Sequence, residues 1–422
     1  MWLRYAAAPL CFLFYMIPCG LMAQTDTLHL SFREAEKQFL EKNFALLAQK
    51  YNVESSKALI QQAKLWDNPV LSTDQNVHDG GSNKFFYHND AQGLGEVFVQ
   101  LSQVFTTAGK RGKQVQVAKD NALVQQAEFD DLMRNLRYNL RLDFSQLGTL
   151  QAQGKVYQNE IAAATDLVNS MQKSYDAGNI SMKDLVRLKA LLFGLQNDLA
   201  ESNRQANDLE AELKTLIQSG ANTVIAPYAD TSYSEKDFNV QALIEQAKTN
   251  RADYLSNQLQ LTYAQHNLEL QRAMAAPDIT VGASYDKNAS YARNYYGLQI
   301  GLPLPLFNRN QGNIKSARYS MMSQEDAVKG NEVKLENDVV AAVNEYRISV
   351  EALSPQQTQF DKQYDTLFKN MLKGFKERQI SLIEFVDFFD TYKDTKLKIL
   401  QQQFNLQKAI ADLNFAVGVP VI

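Results

Sequence analysis

Four histidines, two cysteines and ten methionines are the side chains here best suited to bind a metal. His29, His78, His88 and His266 are scattered, and no two share a helix turn. His78 and His88 lie in one polar stretch with Asp79 and Asp90, a donor set with the chemistry of a weak cation site but no helix to frame it. Met171, Met182 and Met371 fall in long segments with apolar stripes, where thioethers usually pack rather than ligate. These residues give no metal centre. Gly80-Gly81-Ser82 is not followed by a helix that opens on Lys and Ser/Thr, so it is a loop and not a phosphate cradle. Lys110-Arg111-Gly112-Lys113 is a compact basic run, but a net charge of −4 does not point to nucleic acid as a partner. No nucleophile, paired acid and base, or cofactor motif stands out, so the chain reads as a non-enzyme without cofactors.

Architecture is therefore the first question. The chain says the same thing twice. Gly178-Asn179-Ile180-Ser181-Met182-Lys183-Asp184 and Arg378-Gln379-Ile380-Ser381-Leu382-Ile383-Glu384 each break a long helical pattern at one short turn. Pro69 and Pro277 each end a helical stretch and open an alternating one. Gly109-Lys110-Arg111 and Asn308-Arg309-Asn310-Gln311-Gly312 each close an alternating stretch and open a helix. An internal duplication follows, with a first repeat over 24–218, a linker over 219–237 and a second repeat over 238–422. Residues 1–23 have the form of a secretory leader: Arg4, an apolar run from Leu10 to Ile17, then Pro18 and Ala23. Cys11 and Cys19 both fall inside it, so the mature chain is expected to have no disulfide.

The fold class is mixed and mainly α. Helical spacing runs from about Ser31 to Trp66. It resumes from about Gly112 to Tyr175 and from Met182 to Ile217, meeting at a tip near 176–182. In the second half it runs from about Asn313 to Lys376, with a kink expected at Pro355, and from Ser381 to Phe415, with a tip near 376–382. Two hairpins lie between the helices, near 70–105 and 278–303. In the second, Ile279, Val281, Ala283 and Tyr285 alternate with Thr280, Gly282 and Ser284, while Tyr296, Leu298, Ile300 and Leu302 alternate with Gly297, Gln299 and Gly301. One face is aliphatic and aromatic, and the other is small and polar. Strands with lipid outside and water inside show this pattern, as does a soluble sheet with one face on a core. Four strands cannot close a barrel, and an open edge in lipid leaves backbone groups unsatisfied. If the hairpins lie in a membrane, several copies share one barrel: two would give about eight strands and three about twelve.

Leu302-Pro303-Leu304-Pro305-Leu306-Phe307-Asn308-Arg309-Asn310-Gln311-Gly312 resembles the strand-to-helix exit of TolC-family outer-membrane efflux proteins, and is most similar to the CzcC/CusC-like heavy-metal branch. Gly109-Lys110-Arg111 resembles the equivalent exit of the first repeat, and the two tips resemble that family's helix-hairpin ends. The resemblance implies a homotrimer in the outer membrane, with a shared 12-stranded barrel and a periplasmic α-helical tunnel. It also implies docking through Gly178, Asn179, Ile180 and Ser181 and through Gln379, Ile380 and Ser381. The partners would be a periplasmic adaptor protein and an inner-membrane RND-type pump.

The family often sets acidic residues a helical turn apart after the second tip, around the periplasmic mouth. Those positions are Glu384 and Asp387, with Asp390 one turn on. A solvated helix face would carry the same residues. Phe375 and Ile380 stand where some relatives latch the closed state with a tyrosine and an arginine, so a latch here would be built differently. The implied function is a passive exit duct of a tripartite efflux system, with heavy-metal cations as the favoured cargo. Multidrug efflux and type I protein secretion are alternatives within that class. A periplasmic coiled-coil scaffold without a pore is the alternative outside it.

Overall fold

The computed structural model describes residues 27–422, apart from 80, 82, 90, 91, 93, 229–235, 289–291 and 354. The leader with Cys11 and Cys19, the Gly80 and Ser82 positions, and Asp90 lie outside the described residues.

The first half opens with β1 (Thr27–Leu30) and α1 (Phe32–Lys42). Ser31 starts that helix through a reciprocal cap: its hydroxyl accepts from the Glu34 N–H, and its own N–H donates to the Glu34 carboxylate at 2.8 Å. The sequence suggests one helix from Ser31 to Trp66, but Asn43 takes an extended conformation and splits it. The Asn43 side chain accepts from the Leu46 N–H at 3.1 Å, which caps α2 (Phe44–Lys64), and donates to the Leu216 carbonyl at 3.0 Å. Then come β2 (Val70–Gln75), β3 (His78–Asp79), β4 (Lys84–Phe85) and β5 (Val97–Phe105). The 67-residue α3 (Lys110–Asp176), about 100 Å long at 1.5 Å per residue, turns back into α4 (Met182–Ile217). The segment read as a linker contains β6 (Val224–Pro227), which pairs in parallel with β1.

The second half follows the same order. It has α5 (Val240–Asn250), α6 (Ala252–Ala273), β7 (Ile279–Asn288), β8 (Arg293–Gly301), α7 (Gln311–Ala352), α8 (Pro355–Lys376) and α9 (Leu382–Val417). Where α3 is continuous, its counterpart is two helices. Proline has no N–H to donate to the turn before it, so Pro355 starts a new helix rather than continuing the old one.

The two hairpins form one antiparallel sheet, ordered β2-β5-β7-β8. β5 and β7 join the halves over eight paired positions, from Phe98↔Asp286 to Phe105↔Ile279. One row across the sheet reads Leu71, Leu101, Ala283, Leu298, and the row beside it on the opposite face reads Ser72, Gln100, Ser284, Gly297. On the apolar side Leu71 is 66% exposed, Leu298 76% and Ile300 68%. Among the described residues no core covers that face, so the soluble-sheet reading finds nothing there to bury it. β2 and β8 each pair on one side only and leave open edges.

Three apolar clusters hold the helices. One joins Leu335, Val339 and Tyr346 to Leu406 and Leu413. A second joins Phe39, Leu140, Leu147 and Leu213 under the β1–β6 pair. The third lies toward the tips, where Ala164 and Leu167 of α3 and Leu188 and Leu195 of α4 meet Phe385 and Phe389 of α9.

Candidate functional site

The two tips are built alike. At the first, the Gly178 N–H donates to Tyr175 O and the Asn179 N–H to Ser174 O, both at 2.8 Å. At the second, the Arg378 N–H donates to Phe375 O at 3.0 Å and the Gln379 N–H to Gly374 O at 2.8 Å. This pattern closes a helix through a left-handed residue, which is Gly178 at φ 75° and Arg378 at φ 61°. Glycine is the natural choice there; arginine holds the position at a cost, and no sequence rule would have picked it out. Ser181 and Ser381 cap the returning helices through the N–H groups of Asp184, at 3.3 Å, and Glu384, at 3.2 Å. Gly178, Asn179, Ser181, Gln379 and Ser381 are exposed, while Ile180 and Ile380 are half-buried against the helix ends.

α9 sorts its side chains by face. Phe385 and Phe389 are fully buried, and Phe375 stacks on Phe385 at 4.6 Å. Glu384 and Asp387 are exposed on the other side, and Asp390 is half-buried. Burial raises the Asp390 carboxyl above its usual range; Lys393 and Arg187 oppose the shift, while Asp394 and Asp387 reinforce it. Lys393, which the sequence reading passed over, stands 3.9 Å from Asp390 and 3.8 Å from Asp394 and from Asp198 of α4.

At the sheet-to-helix junctions, Gly109 (φ 68°) and Asn310 (φ 58°) are the left-handed residues that precede α3 and α7. Lys110 is 7% exposed, and its ammonium donates to the Asp278 carboxylate at 2.7 Å and the Ala276 carbonyl at 2.6 Å. The Thr107 N–H donates to the same Asp278 oxygen at 2.9 Å. Asp278 is a site residue that sequence reasoning missed; the Pro277-Asp278 pair at the start of a strand was the available signal. Arg111 lies over the Trp66 ring at 3.7 Å. In the second half the Asn310 side chain donates to Gln271 O at 2.8 Å, Asn308 accepts from the Asn310 N–H at 3.0 Å, and Arg309 donates to Pro305 O at 3.2 Å. Gly312 lies in the first turn of α7 with open space around it.

The histidines do not converge. His78 bonds Asn83 at 2.9 Å, His88 bonds the Phe86 carbonyl at 2.8 Å, and His266 bonds Asp120 at 2.6 Å. Among the described residues no group of three or more His, Cys, Asp or Glu side chains could hold a metal ion. No helix among them is long and apolar enough to cross a membrane, which says nothing against a β-barrel.

Known proteins agree with this geometry. The family model described as "Outer membrane efflux protein" matches residues 36–218 and 243–419. The chain is 20% identical over 366 residues to the cobalt-zinc-cadmium resistance protein CzcC of Cupriavidus metallidurans, covering 85% of this chain and 82% of that one. It is 24% identical over 205 residues to the pyoverdine export outer membrane protein OpmQ of Pseudomonas putida, covering 47% of this chain and 40% of that one. Among solved structures, that of CusC superimposes with a TM-score of 0.74 at 14% identity, covering 94% of each chain, and so shares the fold. The chain belongs to the outer membrane efflux protein family, the TolC family of outer-membrane transport channels.

Proposed function

We propose that three copies of this chain form the outer-membrane exit duct of a tripartite efflux system. The observation that carries this reading is the four-stranded sheet with an exposed apolar face and two open edges. In lipid such edges must pair, and the β2 edge of one copy can take the β8 edge of the next. Three copies give about twelve strands, enough for an open lumen. On this reading the two halves arose by duplication, and α3, α4 and α7–α9 of the copies line a periplasmic tunnel. Glu384, Asp387 and Asp390 ring its narrow end and favour cations there. The tips around Gly178–Ser181 and Gln379–Ser381 dock a periplasmic adaptor, and an inner-membrane RND-type pump supplies the energy.

Heavy-metal cations are the favoured cargo, because the long match is to a cobalt-zinc-cadmium resistance protein. The match to a pyoverdine exporter supports a second reading, with organic cargo through the same duct. Growth of a deletion strain on copper, silver, zinc, cobalt and cadmium salts, beside detergents, bile salts and antibiotics, separates the two. Sensitivity confined to metals and restored by the intact gene is expected. Sensitivity confined to organic compounds would keep the duct and overturn the metal assignment.

A further inference from the structure

One buried acid in the α3–α4–α9 pack lacks the contacts such a group needs. Glu160 is 1% exposed, and neither oxygen of its carboxyl has a hydrogen-bond partner among the described residues. It stands one turn before Ala164, on the face of α3 that packs toward α4 and α9. The charged and titratable groups around it are Asp198 of α4, Asp390, Lys393 and Asp394 of α9, and Tyr157 of α3 itself. Lys393 is the cation of this group, and it is already shared among Asp198, Asp390 and Asp394 at 3.8–3.9 Å. An ionised Glu160 would be a fourth carboxylate on one ammonium, in a place that water does not reach. A neutral acid there avoids both penalties.

We propose that Glu160 is a proton-binding site that couples pH to the grip of α9 on α3. Its consequence for conduction rests on the duct reading, because Glu384 and Asp387 ride on α9 about two turns before Lys393. Burial is the main influence on Glu160; Lys393 opposes it, the neighbouring carboxylates add to it, and the group is pushed up to about 8. In a looser arrangement that hydrates the side chain, it returns toward the ordinary 4.5. The packed arrangement binds the proton more tightly and is therefore favoured at low pH. As pH rises from about 4.5 to about 8, the ratio of loose to packed grows by at most about tenfold per unit, and it is level above 8.

The test uses the full chain in planar bilayers between pH 5.5 and 8.5, as wild type and as Glu160→Gln. Glu160→Met is a second non-ionisable variant that leaves no unpaired amide. Mean conductance of the wild type is expected to rise with pH and level off near pH 8. Both variants are expected to stay at the wild-type low-pH value throughout. Infrared spectra near neutral pH read the proton itself, as a carboxylic-acid band present in wild type and absent from both variants. Identical pH profiles in all three proteins, or the absence of that band, would overturn the proposal. If none of the proteins conducts while the band is present, the duct reading fails and the proton site stands.

Discussion

The junction clamp of Lys110 and Asp278 permits a prediction with a worked magnitude. Lys110→Met keeps the length of the side chain and removes the ammonium. The variant loses a charge-assisted hydrogen bond to Asp278 and a second bond to the Ala276 carbonyl. Bonds to charged groups contribute about 1.5–3 kcal/mol. The Asp278 side chain is 32% exposed, so water recovers part of the loss. The expected net cost is about 1.5–2 kcal/mol. At about 2.1 cal/mol/K per residue, a chain of this size should then melt about 2 °C lower. The pH dependence follows from Asp278. Burial pulls its carboxyl up, but the Lys110 ammonium and the Thr107 N–H outweigh burial and hold it below the ordinary 3.8. A depressed carboxylate contributes its stability above the unfolded value and loses it as pH falls through the folded one. The gap between wild type and Lys110→Met should therefore hold from pH 8 to about pH 4 and narrow below that, the bond to the Ala276 carbonyl being unaffected by pH. Combining Lys110→Met with Asp278→Asn should cost less than the sum of the two single changes. Circular dichroism melts of all four proteins at pH 7 and pH 3 make the comparison. A Lys110→Met protein that melts like wild type at pH 7, or a gap undiminished at pH 3, would refute the clamp.

Three further outcomes are expected. Glu384→Gln with Asp387→Asn should raise single-channel conductance or weaken cation block in planar bilayers; unchanged conductance and selectivity would sink the aperture assignment. Leu298→Lys, on the exposed apolar face, should cost about 2–4 kcal/mol in lipid and reduce the protein recovered in membranes, while Gln299→Lys on the other face should not; equal recovery would reverse or abolish the faces. Gly178→Val meets no atom within 4 Å of its Cβ yet strains the left-handed turn by about 1–2 kcal/mol. With Ser381→Ala beside it, cross-linking to an adaptor and efflux should fall, and if both stayed intact the tips would not be the docking site.

What the sequence made legible was periodicity. The sheet faces could be read directly, because alternation places Leu298 and Ile300 on one side and Gln299 on the other whatever surrounds them. The helix breaks at Asn43 and Arg251 could not be read so simply, since the apolar pattern runs through both. Asn43 is a good cap, but Arg251 has no side-chain cap; it breaks the helix because tertiary contacts hold it. Its guanidinium is 1% exposed and binds Asp253 at 2.7 and 3.0 Å and Asp338 at 3.0 Å. The β1–β6 pair was missed for a related reason: strands of four residues, nearly 200 positions apart, carry too little local signal. In the candidate site the exposed acids and tip turns were visible from resemblance and turn chemistry. Asp278, Lys393 and the left-handed Arg378 were not, because each acts through a partner distant in sequence or through backbone shape. Glu160 left a faint trace, an acid among the apolar positions that lead to Ala164 and Leu167.

The order β2-β5-β7-β8 also has a genetic meaning. Each copy offers two unlike edges, one from each half of the chain, so in the proposed ring every seam between copies would be the same head-to-tail contact. A copy whose β2 edge cannot pair still offers a normal β8 edge and can enter a ring that it then leaves open. Such an allele should be dominant over the wild type. With equal amounts of both products and the proposed three copies per ring, only about one ring in eight would escape it.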